Sequence, residues 1–230
     1  MSLKNPPSPA RGRPRVASPL KGEEISFTHE TRIGGRVAGV DEAGRGPWAG
    51  PVVAAAVVLD PDCYPPGLND SKKLTPERRA ALRLMLLDCA EIGIGMASVA
   101  EIDSLNIHWA TMLAMERAVA ALPAQCGHVL VDGNRLPRWS HPATAIVGGD
   151  ALCLSIAAAS IIAKTVRDAI MEALCPQHPG FGWRNNKGYG TPEHAVGLRA
   201  QGPTLHHRQS FAPVREWQSL EPRKFRKATE

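Results

Sequence analysis

Val37-Ala38-Gly39-Val40-Asp41-Glu42-Ala43-Gly44-Arg45-Gly46 decides the reading of this chain. An apolar strand ends in two adjacent carboxylates, and a Gly-Arg-Gly turn follows at once. Folding alone gives no reason to put two acids at the mouth of a buried strand, because like charges at close range oppose each other's ionisation. A divalent cation removes that conflict, since hard ions such as Mg²⁺ prefer carboxylate oxygens. The first expectation is therefore a metal site beside a backbone-exposing turn. Neighbours on a regular strand point to opposite faces. Asp41 and Glu42 thus face one site only if the strand twists or ends there, and the sequence leaves the orientation of Glu42 open.

On either side of this stretch the chain alternates strands with helices. Residues 51–59 read as a second strand, and so short a connection to 36–42 favours an antiparallel pair. Thr75-Pro76-Glu77 carries a capping hydroxyl, a proline at the first helical position and an acid in the first turn, so a helix is expected from there to about Ala90. A third strand is expected over 92–99 and a helix over 106–121. Gly127-His128-Val129-Leu130-Val131-Asp132-Gly133 is a further strand that ends in an acid, as the first does. A short fifth strand follows at 143–147, and a small-residue helix at 152–174. Thr191-Pro192-Glu193 repeats the helix-start pattern. The fold class expected is α/β, a mixed five-stranded sheet flanked by helices, with a helical C-terminal extension. Residues 1–34 are Pro-rich and lack hydrophobic periodicity, so they are expected to stay outside the fold as a disordered basic tail. The catalytic domain is expected over 35–214, and a polar tail over 215–230.

Asp41, Glu42, Asp132 and Asp150 all stand at strand ends or helix starts next to glycine or a glycine turn. The carboxyl ends of strands in an α/β sheet are where sites collect. If the strands carrying Asp41 and Asp132 are parallel neighbours, the two acids share one mouth, and Asp150 reaches it from the next loop. Three or four carboxylates hold two divalent ions about 3.5–4 Å apart, an arrangement that activates water and stabilises the leaving oxygen of a phosphodiester. Each acid also has a plainer use on its own. Asp132-Gly133 suits a turn, and Asp150 suits a helix cap. The Gly44-Arg45-Gly46 turn departs from a dinucleotide fingerprint, with G-x-G-x-x-x-G in place of G-x-G-x-x-G. Its glycines instead let backbone groups approach a ligand, including a ribose 2′-hydroxyl, and Arg45 suits a phosphate.

The formal charge is +5, but residues 1–36 hold a net +4. The basic character belongs mostly to the tail, which reads equally as a solubilising arm or as an arm for a polyanion. The five cysteines form no C-x-x-C pair, so a reduced, cytoplasmic protein without a zinc cluster is expected. No secretory signal is apparent near the N-terminus. The longest apolar region, near 151–163, is interrupted by Ser155 and Ser160, so no membrane span is expected.

Several motifs together resemble type 2 ribonuclease H (ribonuclease HII). These are Gly39–Pro47 with Ala49-Gly50-Pro51-Val52-Val53, Asn69-Asp70-Ser71-Lys72-Lys73-Leu74, Val131-Asp132-Gly133, and Gly149-Asp150 with 157–164. Lys187-Gly188-Tyr189-Gly190-Thr191 and His207-Arg208-x-Ser210-Phe211 complete the set. The resemblance spans roughly 36–214 and implies a ribonuclease H-like fold. It also implies an endonuclease that cleaves the RNA strand of RNA–DNA hybrids and cuts at ribonucleotides embedded in duplex DNA. The implied metal set is Asp41, Glu42, Asp132 and Asp150, with Mg²⁺ or Mn²⁺ as cofactor. Gly44, Arg45 and Gly46 resemble the family's 2′-hydroxyl reader. Tyr189 resembles the tyrosine that packs on the deoxyribose after the ribonucleotide. Lys72, with Lys73 and Lys164, is expected as a backbone contact or a structural lysine. Two readings stand for Arg208 and Ser210: phosphate binding, or satisfaction of loop carbonyls. Asp168 is expected to pair with Lys164 along the helix. The implied partner is nucleic acid, no membrane is involved, and the resemblance suggests a monomer. The other function class, a catalytically silent hybrid-binding module, has no need of four acids facing an anionic substrate.

Overall fold

A computed structural model of the protein describes residues 15–17 and 24–220. The elements in chain order are β1 (Arg15–Ala17), α1 (Thr28–Ile33), β2 (Val37–Ala43), β3 (Val52–Leu59), α2 (Pro76–Cys89), β4 (Ala90–Ala97) and α3 (Val99–Ala120). Then come β5 (His128–Asp132), β6 (Ala143–Ile146), α4 (Leu154–Leu174), α5 (Trp183–Asn186), α6 (Pro192–Gln201) and α7 (Ala212–Leu220). All five expected strands are present, and the three-residue β1 adds a parallel edge beside β6. The sheet order is β1-β6-β5-β2-β3-β4. The pair β2–β3 is antiparallel, and β2–β5 is parallel, as the shared-mouth argument requires.

Two apolar layers sandwich the sheet. On one face Ala38, Val40, Val52, Ala54, Val129 and Val131 pack under α3 through Ala110, Ala114, Met115 and Ala118. On the other, Ala55 and Val57 meet the Ala-rich stripe of α4 and the buried Leu82 and Leu86 of α2. Gly39 is what lets α4 lie so close: a Cβ there would run into the backbone of Ser155 and Ile156. No helix among the described residues is long and apolar enough to cross a membrane.

Three boundaries differ from expectation. Residues 24–34 of the expected tail belong to the fold, because Ile25 and Phe27 pack into the α4 layer and Ser26 pairs with Leu152 and Leu154. Glu30 is buried there, and its Oε1 accepts from Ser155 N at 3.0 Å and Ser155 Oγ at 2.6 Å. An acid from α1 thus serves the start of α4. The expected 106–121 helix begins earlier, at a Ser98–Glu101 capping box. It is interrupted at Asn106 (φ 67°), whose side chain accepts from the amides of His108 and Trp109 and restarts the helix. At the other end α7 crosses the expected boundary at 214/215, and Trp217 packs on the cluster of Phe181, Trp183 and Leu198. The remainders of the two expected tails, apart from 15–17, lie outside the described residues.

Candidate active site

The site forms where two parallel strands part. Pairing of β2 with β5 ends at Val40↔Val131. Beyond it β2 continues along β3 to Ala43↔Val53, and β5 continues along β6 to Asp132↔Ile146. The fork therefore opens one residue before Asp41 on one strand and one residue before Asp132 on the other. A cavity of about 300 Å³ fills it, lined by Asp41, Glu42, Asp132, Lys72, Lys164 and Tyr189, with Gly44-Arg45-Gly46 on its rim. By strand alternation Asp41 falls on the α4 side with Gly39 and Glu42 on the other side with Val40, yet both line the one cavity where the strands part.

The electrostatics are those of a charge surplus. Asp41 is only 6% exposed. Burial, then Glu42, Asp132 and Asp150, hold its carboxyl well above the usual carboxylate range, against a bond from Glu42 N to its own Oδ1 at 2.7 Å. Burial and Glu42 likewise raise Asp132, whose Oδ1 accepts from Gly149 N at 2.8 Å and so ties the strand end to the next turn. Burial, Asp132 and Asp70 raise Asp150. Asp150 sits in the one-turn 3-10 helix Gly149–Ala151, while Cys153 takes the cap position of α4, so capping is not its task. Lys72 Nζ stands 3.6 Å from Asp150 Oδ2. Burial works against the charge of Lys72, but Asp150, then Asp70, Asp41 and Asp132, outweigh it and raise its pKa. Arg45 reaches Glu42 Oε1 at 3.3 Å.

A set of hard oxygen donors that resist one another's ionisation fits a divalent cation. Among the described residues, no three or more His, Cys, Asp or Glu side chains are gathered closely enough to hold an ion.

The loop from Gly44 to Pro51 is held from behind by two buried guanidinium groups. Arg208 donates through Nη2 to Gly44 O at 2.6 Å and Pro51 O at 3.2 Å, through Nη1 to Arg45 O at 2.9 Å, and through Nε to Gly50 O at 2.9 Å. Arg167 donates to Pro51 O at 3.1 Å, Ala49 O at 3.1 Å and Lys187 O at 3.0 Å. Burial, then the charge of Arg167, pushes Arg208 down to about 9, which leaves it charged at neutral pH. Gly44 has φ +96°, and a Cβ there would collide with the Arg167 side chain, so only glycine fits. Gly46 lies beside Tyr189: a Cβ on it would lie 3.4 Å from Tyr189 Cε1. Trp48 N donates to Gly188 O at 2.8 Å and joins the two loops.

Of the open assignments, Arg208 satisfies loop carbonyls. Ser210 donates through N and Oγ to Asp103 at 2.9 and 2.6 Å. Lys164 and Asp168 form the expected pair at 2.8 Å. Sequence reasoning missed Arg167, although Ile156, Ser160, Ala163, Arg167 and Met171 repeat at helical spacing on one buried stripe of α4. It also missed His194 and gave His207, quoted within a motif, no role; both are fully buried in the C-terminal cluster. Burial, then His194, His178 and His206, pushes His207 down to about 3. The folded state thus binds this proton later than an unfolded histidine does. Stability from His207 is present above the unfolded value of about 6.5 and is lost as pH falls below it, by up to about 1.4 kcal/mol per pH unit. The raised carboxylates act in the opposite sense, so the contrast to measure is between proteins. Denaturant midpoints between pH 7.5 and 5.5 should fall more steeply for the parent than for His207→Gln, and identical slopes would refute a neutral buried His207.

A ribonuclease HII family model matches residues 38–214. A curated ribonuclease HII from Rhizorhabdus wittichii is 60% identical over 181 residues, covering 79% of this chain and 90% of that protein. One from Parvibaculum lavamentivorans is 54% identical over 218 residues, covering 94% and 81%. Among solved structures, the ribonuclease H2 of Pyrococcus horikoshii OT3 aligns with a TM-score of 0.66 at 27% identity, covering 84% of this chain and all of that one.

Proposed function

The chain belongs to the ribonuclease HII family, and from that premise we propose that Asp41, Glu42, Asp132 and Asp150 are its catalytic metal ligands. The protein is an endonuclease that hydrolyses the RNA strand of RNA–DNA hybrids and nicks 5′ of ribonucleotides embedded in duplex DNA, leaving a 3′-hydroxyl and a 5′-phosphate. The observation that carries the assignment is the fork between β2 and β5, which brings Asp41, Glu42 and Asp132 to one cavity. Divalent cations, when bound, supply an activated water and stabilisation of the leaving oxygen. Mg²⁺ and Mn²⁺ are the ions we assign, because every ligand is a hard oxygen.

The remaining roles fall to groups around the acids. With their carbonyls turned inward to Arg208, Gly44 and Arg45 keep a fixed backbone face toward the cavity, which suits a ribose 2′-hydroxyl. Tyr189 is 46% exposed and lies beside Gly46, which supports reading its ring as the surface that packs on the sugar that follows. A deoxyribose fits there, whereas an added hydroxyl would be desolvated against the ring. Lys72, exposed next to Asp150, is our candidate contact for the substrate backbone. We read the protein as cytoplasmic and, from the family resemblance, as a monomer; its mass in sedimentation tests the oligomeric state.

The direct test is a DNA duplex carrying one ribonucleotide, incubated with Mg²⁺ or Mn²⁺. A nick on the 5′ side of the ribonucleotide is expected. An intact strand with both metals, from well-folded protein, would sink the assignment.

A further inference from the structure

Behind Tyr189 lies a chain of hydrogen bonds that the chemistry of the acids does not use. Thr204 N donates to His207 Nδ1 at 2.9 Å. His207 Nε2 meets His194 Nε2 at 3.0 Å. His194 Nδ1 meets the Tyr189 carbonyl at 2.9 Å. The backbone ends fix the direction. An amide N–H can only donate, so His207 Nδ1 is the acceptor and carries no proton. Its proton is then on Nε2 and is given to His194 Nε2, which also accepts from the Trp183 indole at 3.3 Å. The proton of His194 is left on Nδ1, and a carbonyl can only accept it. Both tautomers are set by groups that cannot titrate.

The chain admits no added proton. A second proton on His207 would face Thr204 N–H, and one on His194 would face two donors. Burial is the first cause that lowers both rings, and the neighbouring His178 and His206 reinforce it at His207. Glu193 and the carbonyls of Tyr189 and Gly188 act the other way on His194. Trp48, whose own N–H holds Gly188, lies against the His194 ring at 5.3 Å between centroids.

We propose that His194 and His207 are positioning residues for Tyr189: their directed chain fixes the Tyr189 carbonyl and with it the pose of the ring beside Gly46. The inference rests on the reading of Tyr189 given above. Its consequence is selective. Cutting at a single embedded ribonucleotide, which needs the ring on the following deoxyribose, depends on the pair more than cutting within a uniform RNA–DNA hybrid does.

The experiment compares cleavage of a singly ribonucleotide-substituted duplex with cleavage of a uniform hybrid, each variant under one condition so that common effects cancel. His194→Phe keeps a ring and removes the donor, and should lower the ratio about fivefold, the effect of one neutral hydrogen bond. His194→Asn returns an N–H near Nδ1 and should recover most of that loss. Melting temperatures are read alongside, because a merely structural role would make the ratio follow stability rather than the donor. Tyr189→Ala separates the two readings. An unchanged ratio there overturns the tyrosine assignment and this proposal with it. A changed ratio in Tyr189→Ala with an unchanged one in folded His194→Phe overturns the proposal alone, as does equal behaviour of the Phe and Asn variants. Should His194→Phe fail to fold, His207→Leu against His207→Gln carries the same comparison. If neither of those folds, the pair serves the fold and the proposal is overturned.

Discussion

The Asp41→Asn protein is expected to bind an RNA–DNA hybrid and leave it uncut, with turnover down roughly a thousandfold or more, since several kcal/mol of metal-borne stabilisation goes with the lost charge. The substitution changes little else. Asparagine has the shape of aspartate, and its Oδ1 can still accept from Glu42 N as Asp41 does at 2.7 Å. It removes one of the mutually repelling carboxylates from a buried position, where burial, Glu42 and Asp132 hold the pKa of Asp41 high. The variant should therefore melt higher than the parent without divalent ions, by an amount on the order of 1 kcal/mol. Adding Mg²⁺ should stabilise the parent more than the variant. Turnover within tenfold of the parent would refute the metal role of Asp41.

Arg208→Leu should cost about 3 kcal/mol or more of folding stability. Three carbonyls, those of Gly44, Arg45 and Gly50, lose their guanidinium donor at once, while Pro51 O keeps Arg167 Nε, and each buried unpaired group carries a penalty of about 1–3 kcal/mol before the loop relaxes. The same change releases the turn beside the acids, so nicking should fall even at temperatures where the protein remains folded. Arg208→Lys keeps a charge but offers one compact donor head in place of a planar fork. It should recover only part of either loss. Denaturant unfolding and a nicking assay on the same samples measure both, and parental values for Arg208→Leu in the two would end the argument.

How far the sequence carried the reading depended on where the physics was local. The strand ending in Asp41 and Glu42 and the one ending in Asp132 were legible because apolar runs broken by acids and glycine leave few alternatives. Their parallel adjacency was a condition the sequence could state and only pairing could meet. Glu42 looked wrongly directed because alternation was considered for one strand alone; the opening belongs to the pair, after Val40 and Val131 have separated. Ile25, Phe27 and Glu30 were lost among prolines and charges, since their partners lie more than a hundred residues away in α4. Arg208 was ambiguous for the same reason. A guanidinium that binds carbonyls has no local signature, because its acceptors at 44–51 are supplied by the backbone and not by any particular side chain.

The distance between Arg208 and the carbonyls it holds has a meaning for synthesis. All four acids have been made by residue 150, yet the guanidinium that seats Gly44 and Arg45 arrives some 160 positions after them. Chains emerge and fold from the N-terminus. A nascent or prematurely ended polypeptide that stops before residue 208 carries all four acids, while the carbonyls of Gly44 and Arg45 lack the guanidinium that holds them. Synthesis must therefore pass residue 208, in the loop between α6 and α7, before the turn proposed to read the sugar is seated beside the proposed metal ligands.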